Sequence, residues 1–188
     1  MQSGIGLCGA HRVGKTTLAQ AVSQASGLPF LQTHTSQVFK QHGLDPADPM
    51  PFAARLSIQR EILSAAIAVW DQADGPFVSD RTPLDMAAYT LADIQGTTKV
   101  DGTALTSYLD DCLHVSNQYF STLIIIPPGI PLINEPGKAA LHTGYIEHLH
   151  TLVVGLCHHP RLSAKVCQLT RQVLSLSART EQAMSFIK

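Results

Sequence analysis

The sequence predicts an α/β fold, a three-layer sandwich in which a mainly parallel five-stranded sheet carries helices on both faces. Short β-branched, apolar runs alternate with longer segments of helical periodicity along the whole chain. The clearest of these runs is apolar throughout, as a strand covered by helices on each side must be. With 188 residues and 45% hydrophobic content, the chain has enough material for one substantial core. Residues 1–188 are therefore read as a single domain.

Gly4-Ile5-Gly6-Leu7-Cys8 is the first strand. It runs into Gly9-Ala10-His11-Arg12-Val13-Gly14-Lys15-Thr16, which satisfies G-x-x-x-x-G-K-[ST] at every fixed position. Glycine lets the backbone wrap closely enough for successive N–H groups to face phosphate oxygens. Lys15 reaches the β- and γ-oxygens, and Thr16 offers a hydroxyl to Mg²⁺. A helix follows, with Leu18, Ala21 and Val22 on one face. Strand, glycine loop and helix together make the expected fold a P-loop NTPase sandwich. Gly9, His11, Arg12, Val13, Gly14, Lys15, Thr16 and Thr17 are the expected contacts of a nucleoside triphosphate.

Gly27-Leu28-Pro29 ends that helix, and Phe30 to Thr33 is the second strand. Gly43 to Pro51, with three prolines, is a loop. Phe52 to Gln72 is helical, its apolar stripe formed by Leu56, Ile58, Ile62, Leu63, Ala66, Val69 and Trp70. Pro76 to Asp80 is a short strand ending in an acid. Thr82-Pro83-Leu84-Asp85 opens the next helix, which runs on from Met86 to Ile94, with an N-cap, a first-turn proline and a capping-box acid. Leu105 to Tyr119 is a further helix, and Ser121 to Ile126 is a buried strand stopped by Pro127-Pro128. Residues 127–144 form a long irregular segment that fits a closing lid. Tyr145 to His158 is helical, Val173 to Ser177 is read as the last strand, and Thr180 caps a terminal helix.

Charge and cysteine usage exclude several classes. Thirteen basic residues against fourteen acidic ones leave a net charge of −1, and no basic run occurs, which argues against polymeric nucleic acid or an anionic membrane as partner. No apolar stretch approaches membrane-spanning length, and the amino terminus lacks a secretory pattern. Cys8, Cys112, Cys157 and Cys167 are scattered, so reduced thiols in a cytoplasmic protein are expected. The nine histidines form no recognised metal-ligand spacing. An apolar helix face serves either a core or a homodimer interface, and both stay open.

Parallel sheets bind ligands beyond the carboxyl ends of their strands, where the glycine loop and Asp80-Arg81 both fall. The chain lacks the N-K-x-D base-reading motif of GTPases and the Asp-Glu pair of ATP-driven motors. An acid beside an arginine suits phosphoryl transfer between small molecules. Asp80 can hold Mg²⁺ or orient the attacking oxygen, and Arg81 can neutralise phosphate charge. The competing interpretation is an ion-paired helix start.

Three stretches carry a family likeness: Gly9 to Thr17, Arg55-Leu56-Ser57-Ile58-Gln59, and Val78-Ser79-Asp80-Arg81-Thr82-Pro83-Leu84-Asp85 followed by Ala88-Tyr89. In these the chain resembles the P-loop nucleoside and nucleotide kinases, most of all small phage-type deoxynucleoside monophosphate kinases. It is more distantly similar to thymidylate kinase and the nicotinamide riboside kinase domain. The resemblance implies transfer of the γ-phosphoryl of ATP, with Mg²⁺, to a deoxynucleoside monophosphate. A nucleoside or nicotinamide riboside acceptor is the alternative, as is a regulatory protein that binds nucleotide without transfer.

By the same resemblance Lys15, Asp80, Arg81 and the lid's Lys138 are the catalytic candidates, and Thr16 and Asp80 the metal ligands. Arg55 and Gln59, one helical turn apart, become acceptor-binding candidates along with Arg81, although a solvated polar stripe explains them equally. Thr33, His34 and Ser36 could line the same pocket or simply form a turn. Lids of these kinases usually supply arginine; this one offers Lys138, a cation without the bidentate fork. Arg179 is a candidate to stack on adenine, against the commoner surface ion pair.

Overall fold

The computed structural model describes residues 3–45, 49–131 and 142–187. Its strands are β1 (Gly4–Cys8), β2 (Phe30–Leu31), β3 (Val78–Ser79), β4 (Phe120–Ile125) and β5 (Lys165–Gln168). Its helices are α1 (Lys15–Ser26), α2 (Thr35–Gln41), α3 (Phe52–Trp70), α4 (Pro83–Ala92), α5 (Gly102–Tyr119), α6 (Thr143–Cys157) and α7 (Leu176–Ile187). Every strand pair is parallel and the order is β2-β3-β1-β4-β5. The sheet expected to be mainly parallel is parallel throughout.

Two apolar clusters cover the sheet. One is built on Trp70, Phe77, Phe120, Tyr108 and Leu84, from α3, α4, α5 and the strands. The other gathers Leu18 and Val22 of α1, Ile146 and Leu149 of α6 and Ala183 of α7 against Leu7 and Ile124. β1 lies between them, buried along its whole length. Its glycines answer to crowding. A methyl group on Gly4 would stand 2.6 Å from the Tyr119 carbonyl and 2.7 Å from Phe77 Cζ.

The carboxyl-terminal third departs from expectation. Val173 to Ser177 is not a strand; it holds irregular chain, a bend at Ser175 and the first residues of α7, with Leu174 and Leu176 half exposed. The last strand is Lys165–Gln168, in register with Thr122 to Ile125. As an edge strand it has half-buried residues only at the adjacent Val166 and Cys167, so it shows no alternation to read. Thr180 lies inside α7, donating to the Leu176 carbonyl at 2.8 Å, and at the N-terminus of the helix Ala178 N–H donates to Ser175 Oγ.

Elsewhere the differences are local. β2 ends at Leu31, and a short helix, α2, follows it where only a turn was expected, anchored by buried Val38 and Phe39. Asp101 caps α5 by accepting from Thr103 and Ala104 N–H, which starts that helix at Gly102. The Thr82–Asp85 capping box forms as the spacing predicts. Of the expected lid, 127–131 and 142–144 are described, while Lys138 lies outside the described residues.

Because backbone rather than a mobile side chain blocks it, Gly4→Ala is expected to destabilise the fold by about 1–3 kcal/mol. Urea unfolding should show a lower midpoint with an unchanged slope.

Candidate active site

The carboxyl ends of β1, β3 and β4 open into one crevice, and the loop after β1 forms its floor. That loop uses left-handed backbone at Arg12 (φ 65°) and Gly14 (φ 80°), and Gly14 is the N-cap of α1. The N-terminal amides of α1 and their helix dipole therefore face the crevice, a setting for anions. Lys15 lies folded across the loop. Its Nζ donates to the Gly9 carbonyl at 2.6 Å and the Ala10 carbonyl at 2.7 Å. Burial lowers its pKa to about 8, against the opposing pull of the Asp85 carboxylate.

Thr16 Oγ1 donates to Asp80 Oδ2 at 2.6 Å, joining the loop to the end of β3. Asp80 is buried, and its other oxygen has no hydrogen-bond partner. An oxygen-only pair with one unsatisfied buried oxygen suits a hard divalent cation such as Mg²⁺. Arg81 follows directly, its guanidinium 5.7 Å above the Tyr89 ring. Burial alone would lower its pKa, but Tyr89, Asp85 and Asp80 outweigh that and raise it.

Asp85 is fully buried beneath this turn. Its Oδ1 accepts from Gly9 N–H at 2.7 Å, and its Oδ2 accepts from Thr82 N–H at 2.8 Å and Thr82 Oγ1 at 3.0 Å. Burial raises the Asp85 pKa, opposed by the nearby Lys15. Arg179, also buried, reaches in from α7 and donates to the Val13 carbonyl at 3.1 Å. It props the loop from behind instead of forming a surface ion pair, and its buried guanidinium has its pKa lowered.

A second wall leads away from the loop. His11 Nδ1 is 3.2 Å from the Tyr89 hydroxyl, and its ring packs near Tyr89 and Tyr145. Arg55 Nε is 3.0 Å from Asp93 Oδ2, and the guanidinium lies 5.7 Å over Phe39. Burial pushes the Tyr145 hydroxyl up to about 12, with Asp93 and Tyr89 adding to it. Gln59 is buried one turn along α3 from Arg55. Thr33 has a buried hydroxyl without a partner, whereas Ser36 and Thr17 are exposed. Beside the loop, a cavity of about 260 Å³ is bounded by Arg12, Val13, Pro128, Gly129, Ile130 and Arg171.

The crevice thus unites Gly9 to Thr16, Asp80 and Arg81, with Arg55 on the wall that continues from it. Sequence reasoning read Asp85 only as a helix cap and gave Asp93 no role. The capping spacing flagged Asp85 without its second bond, and no local signal marked Asp93.

A fully parallel 2-3-1-4-5 sheet, with a glycine loop after its central strand and an acid–arginine pair after the neighbouring one, defines a P-loop kinase fold like that of the deoxynucleoside kinases. The chain belongs to the AAA domain family, whose model matches residues 5–121 and so takes in the loop and the Asp80–Asp85 turn. No curated protein sequence matches it. Among solved structures it is similar to deoxyadenosine kinase from M. mycoides with dCMP and dCDP, at a TM-score of 0.70 and 17% identity over 98% of this chain and 97% of that one. Thymidylate kinase from Ehrlichia chaffeensis matches at a TM-score of 0.59 and 13% identity, over 100% and 99% of the two chains. NadR in complex with NAD and AMP-PNP matches at 0.63 and 13%, over 98% of this chain and 49% of that one.

Removing the Arg179 side chain strands the Val13 carbonyl, so Arg179→Ala should cost about 1–3 kcal/mol. Thermal unfolding of the nucleotide-free protein measures it.

Proposed function

We propose that the chain transfers the γ-phosphoryl group of ATP to a deoxynucleoside monophosphate. The observation that carries this reading is the Thr16–Asp80 contact, which sets a cation-binding pair between the phosphate loop and Arg81. The loop amides take the donor phosphates, and Lys15 exchanges the carbonyls of Gly9 and Ala10 for phosphate oxygens. Thr16 and Asp80 would hold Mg²⁺, which when bound neutralises charge on the phosphates. Arg81, kept charged beside Tyr89, faces the oxygens of the transferring group. The apolar walls of Val13, Pro128 and Ile130, beside Arg12 and Arg171, suit the donor base.

Two considerations support a monophosphate acceptor. An anionic phosphate oxygen is already a nucleophile and needs no general base. Asp85 is engaged with Gly9 and Thr82 and Asp93 with Arg55, and the bare carboxylate oxygen, on Asp80, is assigned to the cation. Arg81, Arg55 and Gln59, with Thr33 near by in the chain after β2, are the residues assigned to the acceptor. The solved structures it resembles support phosphoryl transfer in general, since deoxyadenosine kinase is by name a nucleoside kinase and thymidylate kinase a nucleotide kinase.

Purified protein given ATP, Mg²⁺ and each deoxynucleoside monophosphate in turn should release ADP only when the right acceptor is present. A folded chain that makes no acceptor-dependent ADP overturns the proposal. In the same assay Lys15→Ala should lower kcat by about 10²–10³.

A further inference from the structure

We infer that Asp85 is a positioning residue of the ATP site: it holds Gly9, and with it the phosphate loop, in register with the Asp80–Arg81 turn. This rests on the reading of that loop as the donor site. A capping-box acid needs one contact, from its carboxylate to the N-cap amide. Asp85 makes that contact to Thr82 and then uses its second oxygen on Gly9 N–H, across 76 positions of sequence, at 2.7 Å. Burying a carboxylate with no exposure is costly for a cap alone. Three donors satisfying it turn that cost into a rigid junction.

Gly9 has no room to relax away. Its φ is 154°, and a methyl group there would lie 2.6 Å from the Ile126 carbonyl. One face of Gly9 is therefore closed by Ile126, the residue after β4, and its N–H is taken by Asp85. The same residue's carbonyl is one of the two that receive Lys15 Nζ. At the other end, Thr82 directly follows Arg81, so one carboxylate is bonded to both halves of the catalytic crevice. The Gly9 amide is committed to this strut, and the phosphate cradle is formed by the amides that come after it.

The test compares variants that cut different arms. Asp85→Ala cuts both, while Thr82→Val removes the hydroxyl arm and the cap but leaves the Gly9 bond. Calorimetric titration with Mg·ATP should show Asp85→Ala weakened roughly tenfold or more, with Thr82→Val within about twofold of wild type although both unfold at lower temperature. Unchanged ATP affinity in Asp85→Ala, or equal weakening in Thr82→Val, overturns the inference. Should Asp85→Ala not fold, amide exchange on the ¹⁵N-labelled wild-type protein decides. The Gly9 amide is expected to be protected before ATP is added and to stay protected, unshifted, while later loop amides respond. Rapid exchange at Gly9 in the nucleotide-free protein overturns the strut. A wild-type chain that binds no ATP overturns the donor reading instead, and Gly9 protection then still reports on the strut by itself.

Discussion

The structure depends on how closely backbone and side chains approach β1. At Gly4 the Tyr119 carbonyl and Phe77 ring leave no space for a methyl group, and at Gly6 the Thr82 methyl carbon would be 2.5 Å away. At Gly9 the Ile126 carbonyl closes the space at 2.6 Å. These contacts draw β3, β4 and the start of α4 tightly around a single strand. Because β1 ends where the phosphate loop begins, the same compression that builds the sheet delivers Asp80, Thr82 and Asp85 to the loop. Core packing and site geometry are therefore one constraint, and a change in the first displaces the second.

Charge is arranged with the same economy. Only 14% of residues are charged, yet Lys15, Asp80, Asp85 and Arg179 are all buried within this one region. Buried ions persist where neighbouring groups satisfy them. Lys15 has two carbonyls, Asp85 has three donors and Arg179 has the Val13 carbonyl. Asp80 is the exception, with one oxygen bonded to Thr16 and the other bare. Among these four buried charged groups, the carboxylate left with a bare oxygen is the one suited to a cation at that point.

What the sequence made legible was local. The loop could be read because its glycines and Lys15 are contiguous and each answers a demand of the adjoining backbone. The α4 start could be read because Thr82, Pro83 and Asp85 form a cap within four residues. The final strand was misplaced because Lys165–Gln168 is fixed by pairing with β4, whereas Val173 to Ser177 imitates strand alternation without a partner. The second bond of Asp85, the placement of Arg179 behind Val13, and the Arg55–Asp93 pair join residues tens to more than a hundred positions apart. Their spacing encodes nothing. They became visible only after the chain order of the sheet was known.

The Arg55–Asp93 pair alters how the acceptor wall must work on the proposed reading. An unopposed arginine would attract any phosphate, but Arg55 already has a carboxylate at 3.0 Å, and both side chains are shielded in part. An anion binding here displaces or shares that partner, so its net gain is the difference between two similar interactions. Arg81 is held differently: its guanidinium lies over the Tyr89 ring, and Asp85 and Asp80 support its charge from a distance, with no ion pair to either among the described residues. On the proposed reading, the end of the crevice nearest Thr16 and Asp80 would supply attraction, and the Arg55–Asp93 end would supply discrimination. His11, Tyr89 and Tyr145 form the aromatic span between these two ends, so a ligand reaching from one to the other would pass along their rings.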